Sequence, residues 1–110
     1  MGDDASDGDG LLVVWEFVVA PDRREAFLAA YGREGRWAAL FRRADSYQDT
    51  LLSEDRALPG RFLTLDVWAT AAAYRAFRER FASEYAELDA ACEGLSERET
   101  PIGEFRIPRA

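Results

Sequence analysis

The chain has 110 residues, of which 48% are hydrophobic and 13% aromatic, and it carries a formal net charge of −7. That length holds one hydrophobic core, and the apolar content excludes disorder for the body of the chain. The negative charge argues against a nucleic-acid partner, because a phosphate backbone requires a cluster of cations.

All 14 basic residues are Arg; Lys, His and Asn are absent. The Ala- and Arg-rich usage suggests a GC-rich, bacterial genome. Without imidazole, most transition-metal sites and every Ser-His or Cys-His nucleophile are removed, so no metal is expected. Cys92 is the one cysteine and can form no internal disulfide. It falls on the apolar stripe of a helix, where a buried, inert thiol is expected. Residues 1–10, MGDDASDGDG, have neither the basic region nor the apolar core of a secretory signal. They read as a disordered acidic tail on a cytoplasmic protein, with one domain over residues 11–110. No apolar run reaches the roughly 20 residues that span a bilayer, so no membrane partner is expected.

Residues 11–19, LLVVWEFVV, are rich in β-branched and aromatic side chains between Gly10 and Pro21, and form a strand. Pro21 opens a helix, with Asp22 and Glu25 near its positive end and Phe27, Leu28 and Tyr31 on its apolar face. Gly32 and Gly35 interrupt it, and Trp37, Leu40, Phe41 and Ala44 resume helical spacing in a second short piece. Residues 47–53 form the second strand, Pro59 and Gly60 a turn, and residues 62–68 the third strand. Thr70 caps the longest helix, whose apolar residues Tyr74, Phe77, Phe81, Tyr85, Leu88, Cys92 and Leu95 step by threes and fours. The charges around that stripe read as a solvated face. A last strand covers about residues 103–107.

The order strand, helix, strand, strand, helix, strand is the split βαβ arrangement: an α+β, ferredoxin-like domain with a four-stranded antiparallel sheet and its helices on one face. Alternation in the strands adds a second inference. In the first strand Leu11, Val13, Trp15, Phe17 and Val19 point one way, and Leu12, Val14, Glu16 and Val18 the other. In the third, Leu63, Leu65 and Val67 oppose Phe62, Thr64, Asp66 and Trp68. Helices cover only one face, so the second apolar face calls for a homodimer packed sheet to sheet, with Glu16 expected at the interface and bonded across it.

The run WEFVV, followed by PDRREAFLAAYG, GRWAALFRRADSY and FLTLDVWATAAAYRAF, resembles the antibiotic biosynthesis monooxygenase (ABM) superfamily of dimeric α+β barrels over about residues 11–108. Its most recognisable element is the strand ending in Trp68 and turning at Ala69 and Thr70 into the helix with Tyr74 and Phe77. The resemblance implies the dimeric barrel and a choice of activities. The superfamily includes cofactor-independent oxygenases of polycyclic aromatic substrates, haem-degrading enzymes, and small proteins with no established activity. Haem-degrading members place a Trp at the position resembling Trp68, beside an Asn and an axial His; this chain has Trp15 at the position resembling the Asn and no His.

The candidate site lies between sheet and helices. Trp15, Trp68, Tyr74 and Phe77 are expected to sandwich a flat aromatic ligand, with Thr64 on the same strand face. Asp66 is the polar partner, a carboxylate on an apolar face that needs an Arg or a Tyr hydroxyl beside it. Asp66 and Trp68 carry the catalytic role in this reading. Tyr47, Tyr31 and Tyr85 are candidate donors to a developing phenolate. The competing reading makes these aromatics the ordinary core, and Trp37 the anchor of the irregular segment. The function expected is thus a cofactor-independent monooxygenase acting on an aromatic, polyketide-like small molecule. The alternative is a non-catalytic dimer that binds a small apolar ligand, and a haem protein with a non-His ligand stands third.

Overall fold

The structure, a computed structural model, describes residues 8–109. Strand β1 runs Gly10–Val18. A 3₁₀ turn at Pro21–Arg23 leads into α1, Arg24–Tyr31, and α2 follows at Arg36–Phe41. Strands β2, Tyr47–Glu54, and β3, Arg61–Trp68, form the central hairpin. Helices α3, Ala71–Arg80, and α4, Ala82–Ala91, precede β4, Arg98–Ile107. The sheet order is β2-β3-β1-β4 and every neighbour is antiparallel, the α+β ferredoxin-like arrangement expected.

Most of the expected acidic tail lies outside the described residues. Its last two positions are structured: Gly10 opens β1, and Asp9 accepts a hydrogen bond from the Arg109 amide at 3.2 Å. Between α1 and α2 the chain folds back so closely that a Cβ on Gly35 would lie 2.6 Å from the Ala29 carbonyl oxygen, so only glycine fits. Gly60 turns the β2–β3 hairpin at φ +93° and donates its amide to Glu54. Thr70 caps α3 as expected, its hydroxyl accepting the Ala73 amide at 3.0 Å.

Two expectations are corrected. The long second helix is two helices, broken at Phe81, which leaves the helical region at φ −107°, ψ 27° while staying buried. No Pro or Gly marks this break. The last strand begins at Arg98, five residues before the expected Gly103. It is a mostly exposed edge, and its charged residues hid the alternation by which strands are recognised.

Strand register sorts the faces. Leu11 opposes Trp68, Val13 opposes Asp66, Trp15 opposes Thr64, and Phe17 opposes Phe62, all beneath the helices. On the other face Leu12 opposes Val67, Val14 opposes Leu65, and Leu51 lies beyond Leu65. No helix covers that face, and Leu51 and Phe105 stand 52% and 47% exposed. Glu16 is on this face but does not wait for a second chain, because Arg61 of its own chain binds it, holding Asp55 at 2.8 Å as well.

Beneath the helices the core falls into two clusters. One gathers Trp37, Phe41, Trp68, Tyr74, Phe77 and Phe81, and the other Phe17, Val19, Phe27 and Phe62. Trp15 and Tyr31 pack against both, at the seam where the packing opens.

Candidate active site

A cavity of about 210 Å³ occupies the seam. Val13, Trp15 and Phe17 of β1, Thr50 of β2, and Thr64 and Asp66 of β3 supply the sheet side. Tyr31, Trp37, Phe41, Tyr74, Arg78, Tyr85 and Asp89 supply the helix side, with Glu99 of β4. The volume falls below the roughly 300–1,000 Å³ typical of drug-sized pockets, so a compact ring system is the largest rigid ligand it takes.

Asp66 is the chemical focus. It is 8% exposed, and no cation pairs with it among the described residues. Thr50 Oγ1 donates to Asp66 Oδ1 at 2.6 Å, where an Arg or a Tyr hydroxyl was expected in direct contact. Burial lifts its carboxyl to about 6, the Thr50 hydrogen bond opposing the rise. A carboxylate in that range accepts a proton near neutral pH far more readily than an exposed one.

Arg78 crosses the helix side. Its guanidinium lies 4.0 Å from the centre of the Tyr85 ring, and its Nη1 donates to the Tyr74 hydroxyl at 3.1 Å. Burial raises both phenols, that of Tyr85 to about 12, and the Arg78 charge opposes the rise. Both phenols therefore stay protonated as donors. Burial likewise raises Tyr31 and holds the Cys92 thiol above its ordinary value, as its buried position led us to expect. Trp37 Nε1 is buried in the cavity wall with no hydrogen-bond partner among the described residues.

Of the residues singled out from sequence, Asp66, Trp15, Thr64 and Tyr74 meet around the cavity. Trp68 and Phe77 do not line it: both are buried one layer behind, with ring centres 4.9 Å apart, and Trp68 is 0% exposed. Tyr47 is also outside the wall, but its hydroxyl is 2.7 Å from Thr50 Oγ1. Trp37, expected only as an anchor, forms part of the wall, as do Tyr31 and Tyr85.

Thr50, Arg78, Asp89 and Glu99 were missed. Arg78 was legible, since it stands four residues after Tyr74 and seven before Tyr85. Thr50 was not, because a bulge between Tyr47 and Asp49 shifts the parity of β2.

A second hollow of about 380 Å³ beyond Tyr31 is walled by Asp89, Glu93, Glu97 and Glu99 and has no other aromatic face, so it suits no flat ring. Among the described residues no cluster of His, Cys, Asp or Glu could hold a metal ion, and no helix is long and apolar enough to cross a membrane.

No family model and no curated protein matches the chain. Solved structures do. A variant of SnoaB, a cofactor-independent oxygenase from Streptomyces nogalater, superposes with a TM-score of 0.70 at 23% identity, over 93% of this chain and 96% of that one. A Bordetella bronchiseptica protein assigned provisionally to the antibiotic biosynthesis monooxygenases gives 0.69 at 17% identity, over 93% and 98%. Rv0793 from Mycobacterium tuberculosis gives 0.61 at 19% identity, over 92% and 95%. The chain thus has the fold of the antibiotic biosynthesis monooxygenase type across nearly its whole length.

Proposed function

We propose that this protein is an oxygenase that needs neither metal nor flavin and oxidises a compact, electron-rich aromatic molecule such as an anthrone or hydroquinone. The observation that carries the reading is Asp66, a buried carboxylate with no cation at ion-pair distance among the described residues, in a cavity half of whose lining is aromatic. Such a group is costly to the fold and is suited to taking a proton from carbon or phenol oxygen. The description of SnoaB as a cofactor-independent oxygenase supports the same chemistry on the same fold.

In this reading the ring lies against Trp15, and Asp66 takes a proton from its acidic C–H. The carbanion delocalises its charge onto the ring oxygen, where Tyr74 and Arg78 stand as donors. It passes its electrons to dioxygen, a C–O bond forms, and the O–O bond breaks with loss of the second hydrogen on that carbon. For an anthrone the sum is a CH₂ group and O₂ giving a carbonyl and water, and for a hydroquinone a ring C–H, two O–H groups and O₂ giving a hydroxyquinone and water, with all electrons from the substrate. Thr64 borders the ring, while Trp68 and Phe77 back the wall.

A homodimer through the open sheet face belongs to this reading. Leu12, Leu51, Leu63, Leu65 and Val67 form an apolar surface that water otherwise reaches.

Oxygen uptake by metal-stripped protein with an anthrone or a hydroquinone tests the activity. We expect uptake above the buffer rate, lost in Asp66→Ala. If no compound of this class is consumed, the cavity is a binding site without chemistry; an active parent matched by the variant would remove Asp66 from the reaction.

A further inference from the structure

We infer that Thr50 and Tyr47 form a proton path from Asp66 through the cavity wall to the protein surface. The inference rests on the reading of Asp66 as the proton acceptor and adds how that acceptor is reset.

The geometry is set by the bulge in β2. In a regular strand, residues three apart point to opposite faces. Here the pairing slips between Tyr47, opposite Trp68, and Asp49, opposite Val67, so Tyr47 and Thr50 both point beneath the helices. Thr50 then falls opposite Asp66.

Proton counting fixes the direction of the chain at rest. Thr50 has one hydroxyl proton and gives it to Asp66 Oδ1 at 2.6 Å. The 2.7 Å contact with Tyr47 must therefore be a bond that Thr50 accepts, so Tyr47 donates to Thr50 and Thr50 to Asp66.

The far end lies nearest the surface: Tyr47 is half-buried and outside the cavity wall, whereas Thr50 and Asp66 are buried. A ring seated in the cavity shuts Asp66 off from water on that side and leaves the chain through the wall.

Once Asp66 has taken the substrate proton, the two hydroxyls turn so that Asp66 donates to Thr50 and Thr50 to Tyr47; Asp66 then passes one proton to Thr50 as Thr50 passes its own to Tyr47 and Tyr47 passes its own to water. The sum is a carboxylic acid and water giving a carboxylate and hydronium, and the transfer itself leaves the chain in its resting direction. Run in reverse, the same path returns a proton when the O–O bond breaks.

Tyr47→Phe and Thr50→Val test the path by two separate readouts. Carbon-13 NMR titration of the Asp66 carboxyl needs no substrate. It should rise most in Thr50→Val, which removes a direct donor, and less in Tyr47→Phe. Titration unchanged from the parent in both variants would mean the chain does not exist in solution.

In turnover, Tyr47→Phe should lower kcat by roughly tenfold or more with KM unchanged and enlarge the solvent deuterium effect. A parent-like kcat and isotope effect in Tyr47→Phe, with the parent active, overturns the path and leaves the oxygenase reading standing. A parent that consumes no oxygen, while the titrations shift as expected, overturns that reading and leaves the hydrogen-bonded chain.

Discussion

Asp66 stands between Val13 on the β1–β3 ladder and Thr50 on the β2–β3 ladder, so of its two cross-strand neighbours on the buried face one is an alkyl group and the other gives a single neutral hydrogen bond, and neither neutralises it. That pairing makes the carboxylate a cost to the fold. A carboxyl ordinarily at 3.8 and held at about 6 when folded is stabilised in its neutral form, so its contribution is present below about pH 4 and is lost as pH rises through about 6. The cost of the ionised form at pH 8 is about 3 kcal/mol. We expect Asp66→Asn to be more stable than the parent by up to that amount at pH 8, with the gain vanishing below pH 4. Denaturant melts at the two pH values measure it, and a pH-independent difference would contradict the placement of Asp66.

Fold and site were legible to different depths. The β-branched runs at β1 and β3 and the turn at Gly60 gave the topology, and the two apolar faces of β3 followed from a period of two. What stayed hidden required knowledge of parity or curvature. The bulge at Gln48 brought Thr50 and Tyr47 to one face, and the break at Phe81 split one stripe between two helices. Trp68 was placed on the correct face, but periodicity does not distinguish a wall from the layer behind it.

Arg78 should matter to chemistry more than to folding. It has no carboxylate within ion-pair distance among the described residues and is held by two tyrosines. We expect Arg78→Leu to lose roughly 10²-fold or more in kcat on an anthrone, the scale of one donor to a developing oxyanion. Tyrosinate absorbance should show Tyr74 titrating higher still, because a charge that opposed its rise is gone. An unchanged kcat would remove Arg78 from the oxyanion site.

The open sheet face predicts the assembly. Sedimentation at micromolar concentration should give about twice the chain mass of 12.4 kDa. Leu51 is already half exposed in the single chain, so Leu51→Arg costs the monomer little, while in a sheet-to-sheet dimer it would bury an unpaired charge. We expect the variant to sediment as a folded monomer. A monomeric parent, or a variant that stays dimeric, would mean that another surface pairs or none does.

Trp68 separates a ring that touches ligand from one that supports those that do. Its ring centre lies 5.3 Å from that of Phe41, 5.4 Å from Tyr47, 5.1 Å from Tyr74 and 4.9 Å from Phe77, and its surface is fully buried. Its indole N–H has no partner among the described residues, so replacing it by Phe sacrifices no hydrogen bond seen there and removes only packed volume. We expect Trp68→Phe to cost about 1–2 kcal/mol in stability, and Trp68→Ala about 3–5 kcal/mol. Well below its melting temperature, Trp68→Phe should keep kcat and KM for an anthrone within about twofold of the parent, because Phe still backs Tyr47 and Tyr74. A folded Trp68→Phe whose kcat falls roughly 10²-fold at unchanged stability would show that the ring reaches the ligand and would restore Trp68 to the catalytic pair with Asp66.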